Sequence, residues 1–315
     1  MTNASVSLKP YLESLLLITA IVAGSLTGLF TTFETSLTDF FILVMLFFLF
    51  YNISLSGLFN GIRNGKYLSM ALLSNFIALP IIAFLLSRLF VEPSHAIFVG
   101  LMVYLVAPCT DWFLGFTQLA HGDVEVNSAL LPINLIMQIL LLPVYLYVFT
   151  ANTISIPTDA FMDVMVYWVL IPFAVAQLVR LIVSKISSAL LARSNVLIEW
   201  LVLVAMVLLV FSIFNTHIES LINHGQILPR VFMVILTFFV AAFFFARFIS
   251  RIATFSKKEE ISLTMTTAAR NAPLMLVISL LFFPDVPLIH VVLVVGMLIE
   301  FPHLITITYI LKKST

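Results

Sequence analysis

The sequence predicts an all-α integral membrane protein of ten transmembrane helices in two inverted five-helix repeats, with helices four and nine broken along their length. Three observations carry that prediction: a composition too apolar for a soluble globule, basic residues confined to alternate loops, and proline-centred interruptions at matching places in the two halves. Of 315 residues, 62% are hydrophobic and only 10% are charged, whereas soluble domains are about 25% charged. The mean hydropathy is +1.17. A bilayer core about 30 Å thick requires roughly 20 apolar residues per helix, and open-edged strands are excluded because lipid offers their backbone groups no partners. The formal net charge is zero, so nothing points to nucleic acid, and the single cysteine cannot form an intrachain disulfide.

The elements follow in order. The first span, about residues 10–31, comes after Lys9 and Pro10 and lacks a small-residue cleavage pattern leading into a soluble domain, so it is expected to be a retained span and not a removed signal peptide. The second, about 37–59, ends before Arg63 and Lys66, and the third, about 67–90, carries Arg88 near its end. The fourth, about 95–120, is interrupted by APCTD and followed by the loop HGDVE. The fifth, about 124–149, ends at the polar loop TANTISIPTD. Arg180, Lys185 and Arg193 cluster around the junction of the sixth, about 159–184, and the seventh, about 195–217, while Arg230 lies at the start of the eighth, about 226–251. Arg247, Arg251, Lys257 and Lys258 gather between the eighth and the ninth, about 258–283, and the tenth, about 286–311, ends at Lys312 and Lys313. Every basic residue named here except Arg88 and Arg230 falls on one side of this scheme, as Lys and Arg do in short cytoplasmic loops. A miscount by one span would scatter them. Both termini of a multi-pass cell-membrane protein are therefore expected in the cytoplasm.

The loop TANTISIPTD divides this single membrane domain into residues 1–150 and 151–315. Five spans per half is an odd number, so the second half enters the membrane from the opposite side, an architecture in which interrupted helices hold a ligand near the midplane. In the fourth span the break reads Pro108-Cys109-Thr110-Asp111; in the ninth it reads Arg270-Asn271-Ala272-Pro273. The offset that lays Gln138 on Glu300 also lays Cys109 on Asn271, which puts the two breaks at equivalent depth. Pro108 and Pro273 are the helix-breaking residues: proline removes a backbone donor, and irregular backbone at membrane depth is tolerated only where it faces protein or a water-filled cavity. Asp111 and Arg270 are expected to point inward and compensate each other, either in a pocket or as a buried structural ion pair. Glu300, between Ile299 and Phe301 deep in an apolar run, is a functional candidate by default.

The segment CTDWFLGFTQLAHGDVEVNSALLPINLIMQ resembles the arsenite efflux permeases of the arsenical-resistance carrier family, which carry a Cys, then L-A-x-G-D, then an N-x-x-x-Q-like pair. The stretches TTAARNAPL and GMLIEFPHL resemble that family's T-A-A-x-N and P-L-I-E-V-P motifs. The family shares a superfamily with the bile acid/sodium symporters and auxin-type carriers. The resemblance implies a panel of spans one, two, six and seven beside a core formed by the rest, with the fourth and ninth helices crossing in the core. It also implies arsenite or antimonite efflux by alternating access, coupled to protons, with Cys109 as the metalloid ligand and Glu300 as the coupling carboxylate. The chemistry suits those roles, since a thiolate is a soft ligand and an intramembrane carboxylate can take up and release a proton. The expected substrate-binding set is Cys109, Asp111, Asn134, Gln138, Arg270 and Asn271.

This chain departs from the family at Arg270-Asn271 and Pro273, where the carriers have Asn-Asn and an acidic residue, and at Gly296-Met297, where they have glycine-proline. Against the sodium-coupled branch, Thr266 stands in place of a sodium-binding carboxylate and Arg270 in place of a neutral amide. A fixed cation repels sodium by several kcal/mol at low dielectric, so sodium coupling is not expected. Arg270 keeps a second reading open, an organic anion carrier whose guanidinium receives a carboxylate near the first turns of the half-helices. Asn134 and Gln138 share a helical face, where they either line the pocket or hydrogen-bond between helices. The histidines lack metal-ligand spacing, so no metal and no cofactor is expected. No phosphate loop, HExxH or GxSxG motif suggests an enzyme, and no charged ring suggests a channel. The expected partners are the lipid bilayer and a small-molecule or metalloid substrate. Nothing in the sequence specifies an oligomeric state.

Overall fold

The computed structural model describes residues 3–31, 36–53, 64–92, 95–110, 113–150, 163–223 and 225–313. In chain order its helices are α1 (Asn3–Gly28), α2 (Ser36–Asn52), α3 (Gly65–Phe90), α4 (Ala96–Leu105), α5 (Phe113–Leu119), α6 (Val124–Thr150), α7 (Val164–Ile186), α8 (Ser188–Asn223), α9 (Leu228–Ile252), α10 (Lys257–Ala268), α11 (Ala272–Phe282) and α12 (Pro287–Lys313). Among the described residues every predicted segment overlaps helix, with α4 and α5 in the fourth and α10 and α11 in the ninth. Among the described residues, α3, α6, α7, α8, α9 and α12 are long and apolar enough to cross a membrane, and shorter apolar stretches lie in α1, α2, α4 and α11. Large apolar side chains such as Leu85, Leu140, Phe244 and Phe248 are exposed. Such a surface is favourable where the solvent is hydrocarbon.

Proline positions explain local irregularity. Pro80 has no N–H to offer the carbonyl of Phe76, one turn back, and the preceding residues Ser74–Ala78 form a π-helical turn. The Tyr145 hydroxyl of α6 donates to that Phe76 carbonyl at 2.6 Å and supplies the missing bond.

The chain forms two compact units. The first comprises Met1–Ile53, Ser155–Gly225 and Leu276–His290 and so contains α1, α2, α7, α8, most of α11 and the first turn of α12. Here α1 lies against α8 through Gly24 and Gly28, one turn apart, where small residues let helices approach closely. A Cβ on Gly24 would stand 2.5 Å from the carbonyl oxygen of Phe211, and one on Gly28 would overlap that of Asn215. Gln177 and Arg180 of α7 donate to the carbonyls of Phe50 at 2.7 Å and Tyr51 at 2.6 Å, satisfying acceptors that the end of α2 leaves open.

The second unit comprises Ser54–Ile154, Gln226–Met275 and Val291–Thr315. At one end, the turn carrying His121, Gly122 and Asp123 is locked onto the start of α10. The Ser262 hydroxyl accepts from the Asp123 amide at 2.7 Å, and the Asn127 amide donates to the Thr117 hydroxyl at 2.9 Å and the Ser262 carbonyl at 3.0 Å. Gly122 has no room for a side chain, since a Cβ would meet Thr117 at 2.8 Å and Ile261 at 2.9 Å. A capping box between Ser256 and Glu259 starts α10.

Candidate functional site

The breaks in both interrupted helices lie in the second unit and meet each other. α4 stops at Leu105, and the chain runs through Ala107, Pro108 and Cys109; α10 stops at Ala268, and Ala269 is extended. The two segments pair as an antiparallel bridge, Pro108 opposite Arg270. The Cys109 N–H donates to the Ala269 carbonyl at 3.1 Å and the Asn271 N–H to the Ala107 carbonyl at 2.9 Å. These bonds are reciprocal under the offset that lays Cys109 on Asn271.

The bridge has an immediate consequence for the helix ends. In continuous helices the amides of Cys109 and Asn271 would serve the carbonyls four residues back, those of Leu105 and Thr267. Diverted across the bridge, they leave both carbonyls open, and the Arg270 side chain fills both vacancies. Its Nη1 donates to the Leu105 carbonyl at 3.0 Å and its Nη2 to the Thr267 carbonyl at 2.6 Å. The side chain is fully buried and lies 5.4 Å from the Phe238 ring centroid. This corrects one expectation. The guanidinium faces the last turns of α4 and α10, the negative ends of their dipoles, and not the first turns of the following half-helices. Among the described residues it forms no ion pair with a carboxylate; Asp111, its expected partner, lies outside the described residues.

Glu300 on α12 also reaches the bridge. One carboxylate oxygen accepts from the backbone N–H of Arg270 at 2.9 Å and the other from the Tyr104 hydroxyl at 3.0 Å, and the residue is 4% exposed. Gly296, one turn before Glu300, makes this geometry attainable: a Cβ there would stand 2.5 Å from Cε1 and Cζ of Tyr104. The absent side chain lets the Tyr104 ring lie against α12 with its hydroxyl at the carboxylate.

The remaining candidates are distributed as follows. Cys109 is buried beside the bridge. Asn134 donates to the Cys109 carbonyl at 3.3 Å, while its own side-chain oxygen has no partner among the described residues. Gln138, one turn further along α6, is 2% exposed, and neither its amide nitrogen nor its oxygen has a partner among the described residues. The Asn271 side chain donates to the Thr110 hydroxyl at 3.0 Å and accepts from the Leu274 amide at 3.4 Å, capping α11. Pro108 lies in the bridge, opposite Arg270. Pro273 does not: it sits in the first turn of α11, where its missing N–H is one that the helix leaves unbonded in any case.

Three contributors escaped the sequence reading. Tyr104 binds Glu300, Thr110 binds Asn271, and Asn75, within the π-helical turn of α3, donates to the Thr266 hydroxyl at 3.1 Å with its own oxygen unpartnered among the described residues. Their only local signal was a polar atom in an apolar run. No group of three His, Cys, Asp or Glu side chains among the described residues could hold a metal ion.

The Sodium Bile acid symporter family matches residues 39–224, a stretch that contains the first break. The chain is also similar to the arsenical-resistance protein Acr3 of Corynebacterium glutamicum, 22% identical over 262 residues that cover 79% of this chain and 70% of that protein.

Proposed function

Since this chain belongs to the Sodium Bile acid symporter family, we propose that it is a secondary active transporter that moves arsenite or antimonite out of the cell by alternating access, in exchange for protons. Ten spans in two inverted repeats, 1–150 and 151–315, in the cell membrane with both termini cytoplasmic, are part of this reading. The reciprocal bonds between the two breaks support the repeats, because equivalent atoms of each half exchange equivalent bonds. The observation that carries the function is the meeting, at one buried bridge, of a thiol-bearing residue and a carboxylate: Cys109 contributes an amide to it and Glu300 accepts an amide from it.

Trivalent arsenic as arsenous acid can exchange a hydroxyl for the Cys109 sulfur; the thiol proton leaves with that hydroxyl as water, and no oxidant is needed. Asn134, bound to the Cys109 carbonyl, and Gln138, with both amide atoms unpartnered, supply polar groups for the remaining hydroxyls. Glu300 carries the proton at one identifiable atom. The oxygen facing the Arg270 N–H must remain an acceptor, because an amide can only donate. The oxygen facing Tyr104 can be protonated, because a hydroxyl can rotate from donor to acceptor. Tyr104 is thus the positioning residue that tolerates both states of the carboxylate.

An organic anion carrier built on Arg270 is the second reading, favoured by a buried guanidinium in a chain of this family. The use of both terminal nitrogens on helix carbonyls favours the metalloid reading. The test is arsenite accumulation in cells without their own arsenic exporters, comparing the unaltered protein with Cys109→Ser and Glu300→Gln. Lower accumulation that both substitutions abolish is the expected result; unchanged accumulation with confirmed membrane expression would overturn the proposal in favour of the anion carrier.

A further inference from the structure

We propose that Arg270 is a tethered counter-cation: its guanidinium fills a cation site formed by the carbonyl ends of α4 and α10, and this site binds a free guanidinium-type cation when the side chain is removed. The inference rests on the transporter reading for its flux consequences but not for the binding itself.

The geometry points to a cation and not merely to a hydrogen-bond donor. The carbonyls of Leu105 and Thr267 are each the acceptor left open where an amide has crossed to the other break. Each lies in the last turn of its helix, where the aligned peptide dipoles amount to roughly −0.5 of an elementary charge. Two such ends brought together carry about the charge that one guanidinium neutralises. The π face of Phe238 supplies further negative potential, with its centroid 5.4 Å from the guanidinium carbon. All three features are fully desolvated with Arg270, which has no measurable exposure. Water therefore does not screen the converging carbonyls, and without the cation they would face each other unpaired. In membrane carriers, unwound carbonyls and half-helix carbonyl ends are the groups that hold coupling cations. Here the chain supplies the cation itself, from the residue opposite Pro108 in the bridge. Proline at the equivalent position of the other half leaves a single side chain to fill the site.

A covalently held cation is present in every conformation and cannot be exchanged with solution. Transport by the unaltered protein should therefore be indifferent to replacing sodium by choline. Arg270→Ala should vacate the site, and Arg270→Gln should keep one amide donor without the charge.

Purified protein in detergent and in liposomes tests this with guanidinium chloride as the probe, kept at about 50 mM, far below denaturing strength. Melting is measured first, because it does not depend on transport. Guanidinium is expected to raise the melting temperature of Arg270→Ala and to leave the unaltered protein unchanged or slightly lower, since a ligand stabilises only the state that offers it a site. Arsenite flux in choline medium is expected to fall at least about tenfold in both variants, a barrier change of about 1.4 kcal/mol, and to recover with guanidinium in Arg270→Ala. An Arg270→Gln protein with unaltered flux in choline would show that the charge is not used and would overturn the proposal. A folded Arg270→Ala protein that guanidinium neither stabilises nor reactivates would overturn it too, as would sodium-dependent flux in the unaltered protein. If the unaltered protein carries no arsenite but guanidinium still stabilises Arg270→Ala, the transport reading fails and the cation site stands.

Discussion

Replacing Gly296 by alanine adds one methyl group to α12 at the point where Tyr104 crosses it. That methyl carbon would stand 2.5 Å from Cε1 and Cζ of Tyr104 and 2.9 Å from Cδ1. Non-bonded carbons settle at about 3.5–4.0 Å, so the ring must withdraw by roughly 1 Å. Tyr104 is fully buried and its ring packs edge to face against Phe239, with centroids 6.5 Å apart, so the withdrawal compresses a filled region. Overpacking of this kind costs about 1–3 kcal/mol. The same movement stretches the 3.0 Å bond from the hydroxyl to Glu300 past hydrogen-bonding range. A bond to a charged group contributes about 1.5–3 kcal/mol, which brings the expected total to about 2.5–6 kcal/mol. Equilibrium unfolding in detergent measures it, with Gly296→Ala made in the unaltered protein and in a Tyr104→Ala background. With the ring gone, most of the cost should vanish, a coupling of at least about 2 kcal/mol between contacting sites. An equal loss in both backgrounds, or no loss in the first, would refute the reasoning.

Other substitutions separate the roles within the site. Tyr104→Phe removes the hydroxyl without a clash and should lower arsenite flux by about tenfold, a barrier change of about 1.4 kcal/mol, while unfolding in detergent should show the loss of about 1.5–3 kcal/mol expected for one bond to a charged group. Gln138→Leu removes two buried, unpartnered polar atoms and should stabilise the protein by about 1–3 kcal/mol while weakening apparent affinity for arsenite, so thermal melting and flux should move in opposite directions. Asn271→Ala deletes the cap of α11 and the bond to Thr110, and unfolding in detergent should show a loss of about 1–2 kcal/mol.

Helix positions, the two interruptions and the burial of Glu300 were all legible along the chain. The signals are local: twenty apolar residues in a row, a proline with polar neighbours, a carboxylate between Ile299 and Phe301. The offset relating Cys109 to Asn271 could also be read there, and the bridge joins the same pair of breaks. Pro273 misled because a proline looks alike whether it breaks a helix or begins one; only the position of the helix start at Ala272 distinguishes the two. Arg270 misled more deeply. A buried arginine calls for negative charge; Asp111, the partner the sequence suggested, lies outside the described residues, and nothing along the chain pointed to two backbone carbonyls.

The sequence by itself determined that this chain is a membrane protein, where its helices run and where they fail, because burial in hydrocarbon is decided residue by residue from polarity. Only the tertiary structure decided what the failures are for. The amides of Cys109 and Asn271 pair with backbone far away in the chain, the carbonyls they leave behind set the place of the Arg270 guanidinium, and Gly296 admits the ring that carries a hydroxyl to Glu300. Backbone groups are the same in every residue, so a sequence records that an amide must find a partner, and only the fold settles which partner it finds.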